Sequence, residues 1–457
     1  MPTPRQQAEG DRLARVWSVR KLLSSLPTPP PSIPSWLAIA LLAGAAAPAV
    51  AFGVGGVPHT GRVGLAAGGL SSLATVATKL MSGQPPYTPG FHGSVPFIYP
   101  PGMLIFIPAP LLAGPGRYVL AFAVEMLIVL LVGVALVRAY HASSDPRADA
   151  LGWSLLAVLA AAGPLTLYRT DPVIGLLLVA AAIAWRRGSV GTSFLLVLAA
   201  GLIKEYAWVE VVPLLGWQVG ATVRGRPSSL RLASATVRPV LLAGVPILVI
   251  LAAVEVWSHG GLVASQLHNL DRGVEIESLP AAVAMLLAGL RGVIVVRGAL
   301  GSMQIAGSGL HLRLISTAFA AAGVGLLALI AIRSARPPIL PGTAFSFAMG
   351  LALLVTPVLS PQYLDALTPC LCLAALEARP SIRAYLLWGT LGLALLTQLE
   401  FPYLWTSVLS LSAHGLVALE LRNLALVAIV ATIGTVWMRS GAPGARTAVL
   451  PTTSNSH

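Results

Sequence analysis

The sequence predicts an all-α membrane protein, a bundle of helices that crosses the bilayer many times. Only 10% of its 457 residues are charged and 56% are hydrophobic, whereas a soluble domain carries about 25% charged residues. Apolar runs recur from residue 36 to residue 438, and glycine, proline and arginine separate them. A large soluble core is excluded, because it would leave most of these runs exposed to water.

The apolar runs predict eleven to thirteen transmembrane helices. Several runs are shorter than the about 20 residues that a full crossing needs. Short runs that end at a charged residue indicate helices that stop partway, around a water-filled cavity. The candidate spans are 36–54, 98–113, 117–138, 151–167, 172–186, 193–219, 237–257, 313–333, 340–359, 364–378, 382–399, 404–420 and 423–438.

The chain divides into a membrane domain, 36–438, and two tails. Residues 1–35 are basic and then rich in proline, which predicts a cytoplasmic tail before an uncleaved first span. Residues 439–457 are polar and predict a disordered tail. The net charge of +13 comes from arginines scattered at the ends of apolar runs. That pattern sets membrane topology and does not indicate nucleic-acid binding.

Two long loops are expected on the extracytoplasmic side, because basic loops such as 224–238 and 333–338 should stay in the cytoplasm. Loop 55–97 has apolar residues at helical spacing, which predicts a helix lying at the membrane interface. Loop 258–312 contains a second apolar run, "AAVAMLLAGLRGVIVVRG", which predicts another interfacial helix.

Ionisable residues gather at four places within this apolar chain: "LYRTDP", "LIKEYAWVE", "HNLDRGVEIES" and "SPQYLD". Each group alone has a purely structural interpretation, as an ion pair, a helix end or a solvated turn. Charged residues at membrane depth are costly and usually face a cavity or a partner. Together the four groups therefore predict one shared polar cavity that opens to the extracytoplasmic side.

Transfer of a sugar from a lipid phosphate fits these residue types. A cation must bind the phosphate leaving group, and a carboxylate must accept the proton of the attacking hydroxyl. Glu275 follows Arg272 by three residues, so the two would pair on a helix. The candidate cations are Arg169, Lys204 and Arg272, and the candidate bases are Asp171, Glu205, Glu275 and Glu277.

Several motifs together resemble the actinobacterial glycosyltransferase family 87-like membrane proteins over about residues 60–430. The motifs are, in order, "QPPYTPGF", "FIYPPG", "LYRTDPVIGLLLVAAAIAWRRG", "LAAGLIKEY", "DRGVEIES", "LLVTPVLSPQYLDALTP", "TQLEFPYLW" and "LRNLALV". The resemblance implies a GT-C type helical bundle in the cytoplasmic membrane. It also implies inverting transfer of mannose from polyprenyl-phosphate mannose to a cell-envelope glycolipid or glycan, outside the membrane.

Within that resemblance, each candidate residue has an expected role. Glu275, Glu277 and Asp171 are the catalytic candidates, in no settled order, and Arg169, Lys204 and Arg272 would bind the donor phosphate. The expected partners are the donor, the acceptor and membrane lipids, without nucleic acid. No cofactor is expected, although the acidic trio leaves a divalent cation open. The remaining cavity residues are expected to be Tyr99, Glu205, Gln362 and Tyr363.

The chain departs from the family pattern at one important place. GT-C enzymes usually carry a catalytic acid in the first extracytoplasmic loop, but this chain has no carboxylate between Asp11 and Glu125. Either another carboxylate acts as the base, or the protein is an inactive relative that binds or carries a lipid-linked sugar or serves as a partner subunit. A secondary transporter is a third reading, weakened by the lack of an inverted repeat.

Overall fold

The computed structural model describes residues 32–55, 62–92, 97–140, 146–224, 229–288, 294–299, 302–307, 311–337 and 340–440. Most of the two predicted tails lies outside these ranges. The described part is almost entirely helical, as the sequence predicts, with one two-stranded antiparallel sheet. The protein is an all-α membrane protein.

The first half of the described chain forms nine helices. They are α1 Ser35–Gly55, α2 Arg62–Met81, α3 Met103–Phe106, α4 Tyr118–Tyr140, α5 Pro146–Ala161, α6 Pro164–Tyr168, α7 Asp171–Arg186, α8 Val190–Ile203 and α9 Val211–Arg224.

The second half of the chain adds nine more helices and the sheet. The helices are α10 Ser229–Trp257, α11 Gly261–Leu270, α12 Leu279–Ala288, α13 Leu312–Ser334, α14 Pro341–Val355, α15 Tyr363–Glu377, α16 Pro380–Gln398, α17 Trp405–Leu409 and α18 Ala413–Ser440. The strands are β1 Ile294–Ala299 and β2 Ser302–Gly307.

Five helical segments in the described ranges are long and apolar enough to cross a membrane. They are Pro115–Tyr140, Val237–Trp257, Leu312–Ser334, Pro380–Tyr403 and Ala413–Ser440. Six further apolar helices contain only 10–17 residues, which agrees with the expectation of short helices. The number of crossings, eleven to thirteen, stays a prediction.

The structure differs from the predicted spans in several places, including 151–167, which is divided into α5 and α6. Residues 98–113 form no spanning helix, because the prolines at 100, 101, 108 and 110 remove backbone donors and leave only α3 and a 3-10 turn, Ala109–Ala113. The predicted break between 420 and 423 is also wrong, since α18 runs through it. The run 193–219 divides at "KEY" into α8, a 3-10 turn and α9.

The prediction of an interfacial helix in loop 258–312 is only partly confirmed. Its apolar run begins as helix α12, but the β-branched segment at 294–296 forms strand β1, which pairs with β2 in a hairpin. In the other loop, α2 is a helix as predicted, and it buries Leu70, Leu73 and Ala77. Its placement at a membrane interface stays a prediction.

Two hydrophobic cores hold the fold together. The larger one contains side chains of most of the helices, from α1 to α18, but none of α12 or α17. The smaller one lies beneath the hairpin and contains Val274 and Ile276 together with side chains of α12, β2, α13, α17 and α18. This smaller core fixes the segment that carries the acidic motif.

Candidate functional site

A cavity of about 290 Å³ is lined by residues from all four predicted groups, including Ser360, Pro361 and Gln362 of "SPQYLD". Helix α2, the loop before α3, the turn between α6 and α7, and the residues around the hairpin form its walls. The polar and charged side chains in the wall are Ser72, His92, Tyr99, Tyr168, Arg169, Thr170, Asp171, Lys204, Glu275, Glu277, Ser302, Ser360 and Gln362. Phe401 and Trp405 add aromatic surface.

The acidic motif reaches the cavity as an extended segment. Ile276 donates from its backbone nitrogen to the Met303 carbonyl over 3.0 Å, and Ile305 donates to the Val274 carbonyl over 2.9 Å. Successive side chains of an extended chain point to opposite faces. Val274 therefore enters the smaller core, and Glu275, which bridges to Gln304, lines the cavity. The chain then turns at 276–277, where Ser278 donates from its backbone to the Glu275 carbonyl over 3.1 Å, and Glu277 also lines the cavity.

Lys204 is neutralised by Asp171. Its ammonium group lies 2.9 and 2.8 Å from the two carboxylate oxygens of Asp171, and the Tyr206 hydroxyl donates to the same carboxylate over 2.8 Å. Lys204 also lies 4.8 Å from the ring centre of Tyr363. Because Asp171 already accepts these three hydrogen bonds, it is a weak candidate for a base.

Arg169 differs from Lys204 in having no carboxylate partner among the described residues. Its only hydrogen bond there is to the carbonyl of its neighbour Tyr168, at 3.1 Å. Its guanidinium packs against Gly69 of α2, where an added Cβ would lie 2.9 Å from Nη1. Arg169 is half-buried and faces the cavity, so its charge is available to an anion.

Arg272, Glu205 and Tyr363 do not form part of the cavity wall. Arg272 binds Glu275 at 2.5 Å, the pairing that the spacing predicts, although the segment is extended rather than helical. Glu205 is exposed and accepts a hydrogen bond from Asn269 over 3.0 Å. Tyr363 lies behind Lys204, with its ring centre 4.7 Å from that of Tyr206.

Among the three acids of the described cavity wall, Glu277 is the one that has no cation bound to its side chain. Its side chain makes no ion pair in the described part of the chain, and Oε1 is buried without a hydrogen-bond partner there. Burial raises the pKa of Glu277 well above the usual 4.5, and the nearby carboxylates of Glu400 and Glu275 raise it further, while Arg422 opposes them. Burial also raises the pKa of Glu275, but Arg272 lowers it.

Tyr99 is held in the wall by the loop on either side of it. The Tyr87 hydroxyl donates to the Tyr99 carbonyl over 2.7 Å, and Gln266 of α11 donates to the Ile98 carbonyl over 3.3 Å. Gly102 then donates from its backbone to the Leu202 carbonyl of α8 over 2.7 Å. These bonds place Tyr99 5.7 Å from the Lys204 ammonium group, measured to the ring centre.

Sequence reasoning missed a buried ion pair behind Glu277. Arg422 of α18 donates to the two carboxylate oxygens of Glu400 over 2.9 and 3.2 Å, and both side chains are fully buried. The same guanidinium donates to the Glu277 carbonyl over 3.0 Å. A signal existed in the sequence, since Glu400 and Arg422 are both charged residues within largely apolar segments, 22 positions apart.

The acidic trio is not assembled as a cation site. Asp271 ends helix α11 on the exposed surface, whereas Glu275 and Glu277 are buried in the cavity wall. In the described ranges, no group of three or more His, Cys, Asp or Glu side chains is placed to hold a metal ion.

No protein-family model matches this chain, and a search of curated proteins finds no match either. The class of the protein is therefore described from its fold and its site alone. It is a multi-pass α-helical membrane protein with a charged cavity.

Proposed function

We propose that this protein is a membrane glycosyltransferase that moves a sugar, mannose in the first instance, from a polyprenyl-phosphate donor to a hydroxyl of a cell-envelope glycolipid or glycan. One observation carries the proposal: the cavity wall holds a cation, Arg169, and an acid, Glu277, and neither forms an ion pair among the described residues. Transfer from a phosphate requires both groups in one site.

Arg169 is the group proposed to bind the donor phosphate. A guanidinium presents several N–H donors in one plane and suits a phosphate well. Lys204 and Arg272 were equal candidates in the sequence, but each is already bound to a carboxylate. They support the site indirectly, because they keep Asp171 and Glu275 from repelling the incoming phosphate.

Glu277 is the group proposed to act as the base. The acceptor oxygen forms a bond to the anomeric carbon of the sugar while the bond from that carbon to the phosphate oxygen breaks. The acceptor proton passes to the Glu277 carboxylate, and the phosphate leaves with its added negative charge facing Arg169. A raised pKa suits a base, because a carboxylate with a higher pKa accepts a proton more readily.

The proposed setting is the cytoplasmic membrane, with the N-terminus in the cytoplasm and the cavity on the extracytoplasmic side. The pattern of basic loops supports this orientation. The apolar helices support only the embedding in a membrane. Phe401 and Trp405 give the cavity an aromatic wall that suits the face of a sugar ring.

A second candidate is a protein that binds or carries the lipid-linked sugar without transferring it. The observation that favours it is the lack of a carboxylate in the part of the cavity wall where GT-C enzymes usually carry their catalytic acid. The segments up to residue 103 contribute His92 and Tyr99 but no carboxylate, because the chain has none between Asp11 and Glu125.

The test uses the full chain in lipid nanodiscs, with radiolabelled polyprenyl-phosphate mannose and an envelope lipid extract as acceptor. Transfer of label to the extract by the native chain, and its loss in Glu277→Gln, would support the enzyme. Glu125→Gln is the matched control, since Glu125 lies half-buried on α4 and outside the cavity wall. Donor binding without transfer, with this donor and with its arabinose counterpart, would favour the second candidate.

A further inference from the structure

The ion pair between Glu400 and Arg422 stands directly behind the acidic end of the cavity. Neither residue lines the cavity, so neither can touch a substrate there. Both side chains are fully buried, at 0% exposure. A buried ion pair seldom adds net stability compared with apolar side chains of the same size. Stability alone therefore does not explain this pair, and its position indicates a role in the site.

The contact between the pair and the site is a single hydrogen bond. Arg422 Nη2 donates over 3.0 Å to the carbonyl oxygen of Glu277, while Nε and Nη2 hold the carboxylate of Glu400. Arg422 thus links α18, the segment after α16 and the acidic motif in one network. The adjacent Ser278 also fixes this segment, donating to the Glu275 carbonyl over 2.8 Å.

We propose that Arg422 and Glu400 are positioning residues for Glu277: Arg422 holds its backbone, and Glu400 holds Arg422 and balances its charge. This inference rests on the proposed function, because it assigns the pair to the residue proposed as the base. Glu400 has a second effect through its negative charge, which opposes ionisation of Glu277.

The charges that face Glu277 come from several elements. Glu275 lies on the same segment, Glu400 follows α16 and Arg422 belongs to α18. The remaining titratable groups of the cavity wall are His92, Tyr99, Tyr168, Arg169, Asp171 and Lys204. Loss of the Glu400 charge removes a repulsion and leaves Arg422 uncompensated. Both effects favour the ionised form of Glu277, so its titration moves to lower pH.

The test measures the titration of Glu277 directly, without relying on transfer. A hydrophobic carbodiimide reacts with protonated carboxyl groups within membranes, and mass spectrometry of the full chain in nanodiscs reports labelling of Glu277 against pH. Glu400→Gln, which keeps the side-chain shape, should lower the midpoint of labelling by about one pH unit or more. Glu125→Gln, at a half-buried glutamate of α4 outside the cavity wall, is the control and should leave the midpoint unchanged.

Arg422→Lys supplies the second variant, because it keeps the charge but cannot bridge Glu400 and the Glu277 carbonyl in the same way. It should lower the maximal transfer rate at least about tenfold, with donor binding kept. An unchanged labelling midpoint in a folded Glu400→Gln protein, or full transfer by Arg422→Lys, would overturn the positioning role. A shifted midpoint in a chain that transfers no sugar would instead overturn the proposed function and leave the charge coupling standing.

Discussion

The ammonium group of Lys204 lies between the two carboxylate oxygens of Asp171, at 2.9 and 2.8 Å, and both side chains are buried. This contact separates two cations that look equivalent in the sequence. Lys204 is bound within the protein, and Arg169, two residues before Asp171, keeps its charge for an anion in the cavity. The distinction leads to different expectations for the two residues.

Lys204→Met should destabilise the protein, because it leaves the Asp171 carboxylate buried without its cation. Loss of one partner from a buried pair costs about 3–5 kcal/mol. The double variant Lys204→Met with Asp171→Leu should recover part of this loss, since no charge then remains unpaired. Thermal unfolding in detergent checks both. Glu205→Gln, at an exposed carboxylate, is the control, and equal destabilisation in single and double variants would contradict the argument.

Arg169→Met should keep the fold and weaken donor binding. The Arg169 guanidinium has no ion pair to lose among the described residues, and its charge faces the cavity. Loss of a group that stabilises a charged leaving group costs about 10²-fold or more in rate. Donor titration and transfer rates check the prediction. Arg187→Met, at an exposed arginine that follows the opposite end of α7, is the control. Unchanged donor affinity in Arg169→Met would show that the phosphate binds elsewhere.

The transfer rate should rise with pH across the range in which Glu277 loses its proton. Burial, together with Glu400 and Glu275, raises the pKa of this acid above 4.5, so the inactive protonated form persists to higher pH than for a solvated glutamate. A rate profile against pH in nanodiscs checks the sign. A rate that falls as pH rises through this range would mean that the protonated form of the group is the one required.

Gly102→Ala should destabilise the loop that carries Tyr99. An added Cβ at this position would lie 2.7 Å from the Leu202 carbonyl oxygen. The two backbones cannot easily separate, because the Gly102 nitrogen donates a hydrogen bond to the same oxygen. We expect a lower unfolding temperature and weaker donor binding. Gly392→Ala is the matched control, because nothing lies within 4 Å of its Cβ. Equal unfolding temperatures for the two variants would show that the loop is free to move.

The sequence predicted the fold class and the grouping of charges well, because both depend on local composition. Apolar runs identify the helices, and ionisable residues in such a chain face one another across a cavity. The sequence did not predict the β-hairpin, since the run before it is apolar enough for an interfacial helix. Yet the alternation in "VEIE" at 274–277 is typical of an extended segment, and it could have indicated that Glu275 and Glu277 line the same cavity.

The distribution of charge within the cavity could not be predicted from local patterns. Arg272 pairs with Glu275 as the spacing predicts, but the binding of Lys204 to Asp171 joins residues 33 positions apart. Arg422 and Glu400 are 22 positions apart, and Arg422 reaches Glu277 across 145 positions. Packing of the helices determines such pairs, and no spacing rule relates them.

The central claim is that Arg169 binds the donor and Glu277 carries out the proton transfer. The most direct measurement compares donor affinity and single-turnover transfer rate in the native chain and in Glu277→Gln, Glu275→Gln and Arg169→Met. We expect Glu277→Gln to bind the donor normally and to lose transfer by about 10²–10⁴-fold, Glu275→Gln to retain more transfer, and Arg169→Met to bind the donor weakly. Normal transfer by Glu277→Gln, with the protein folded and the donor bound, would contradict the account.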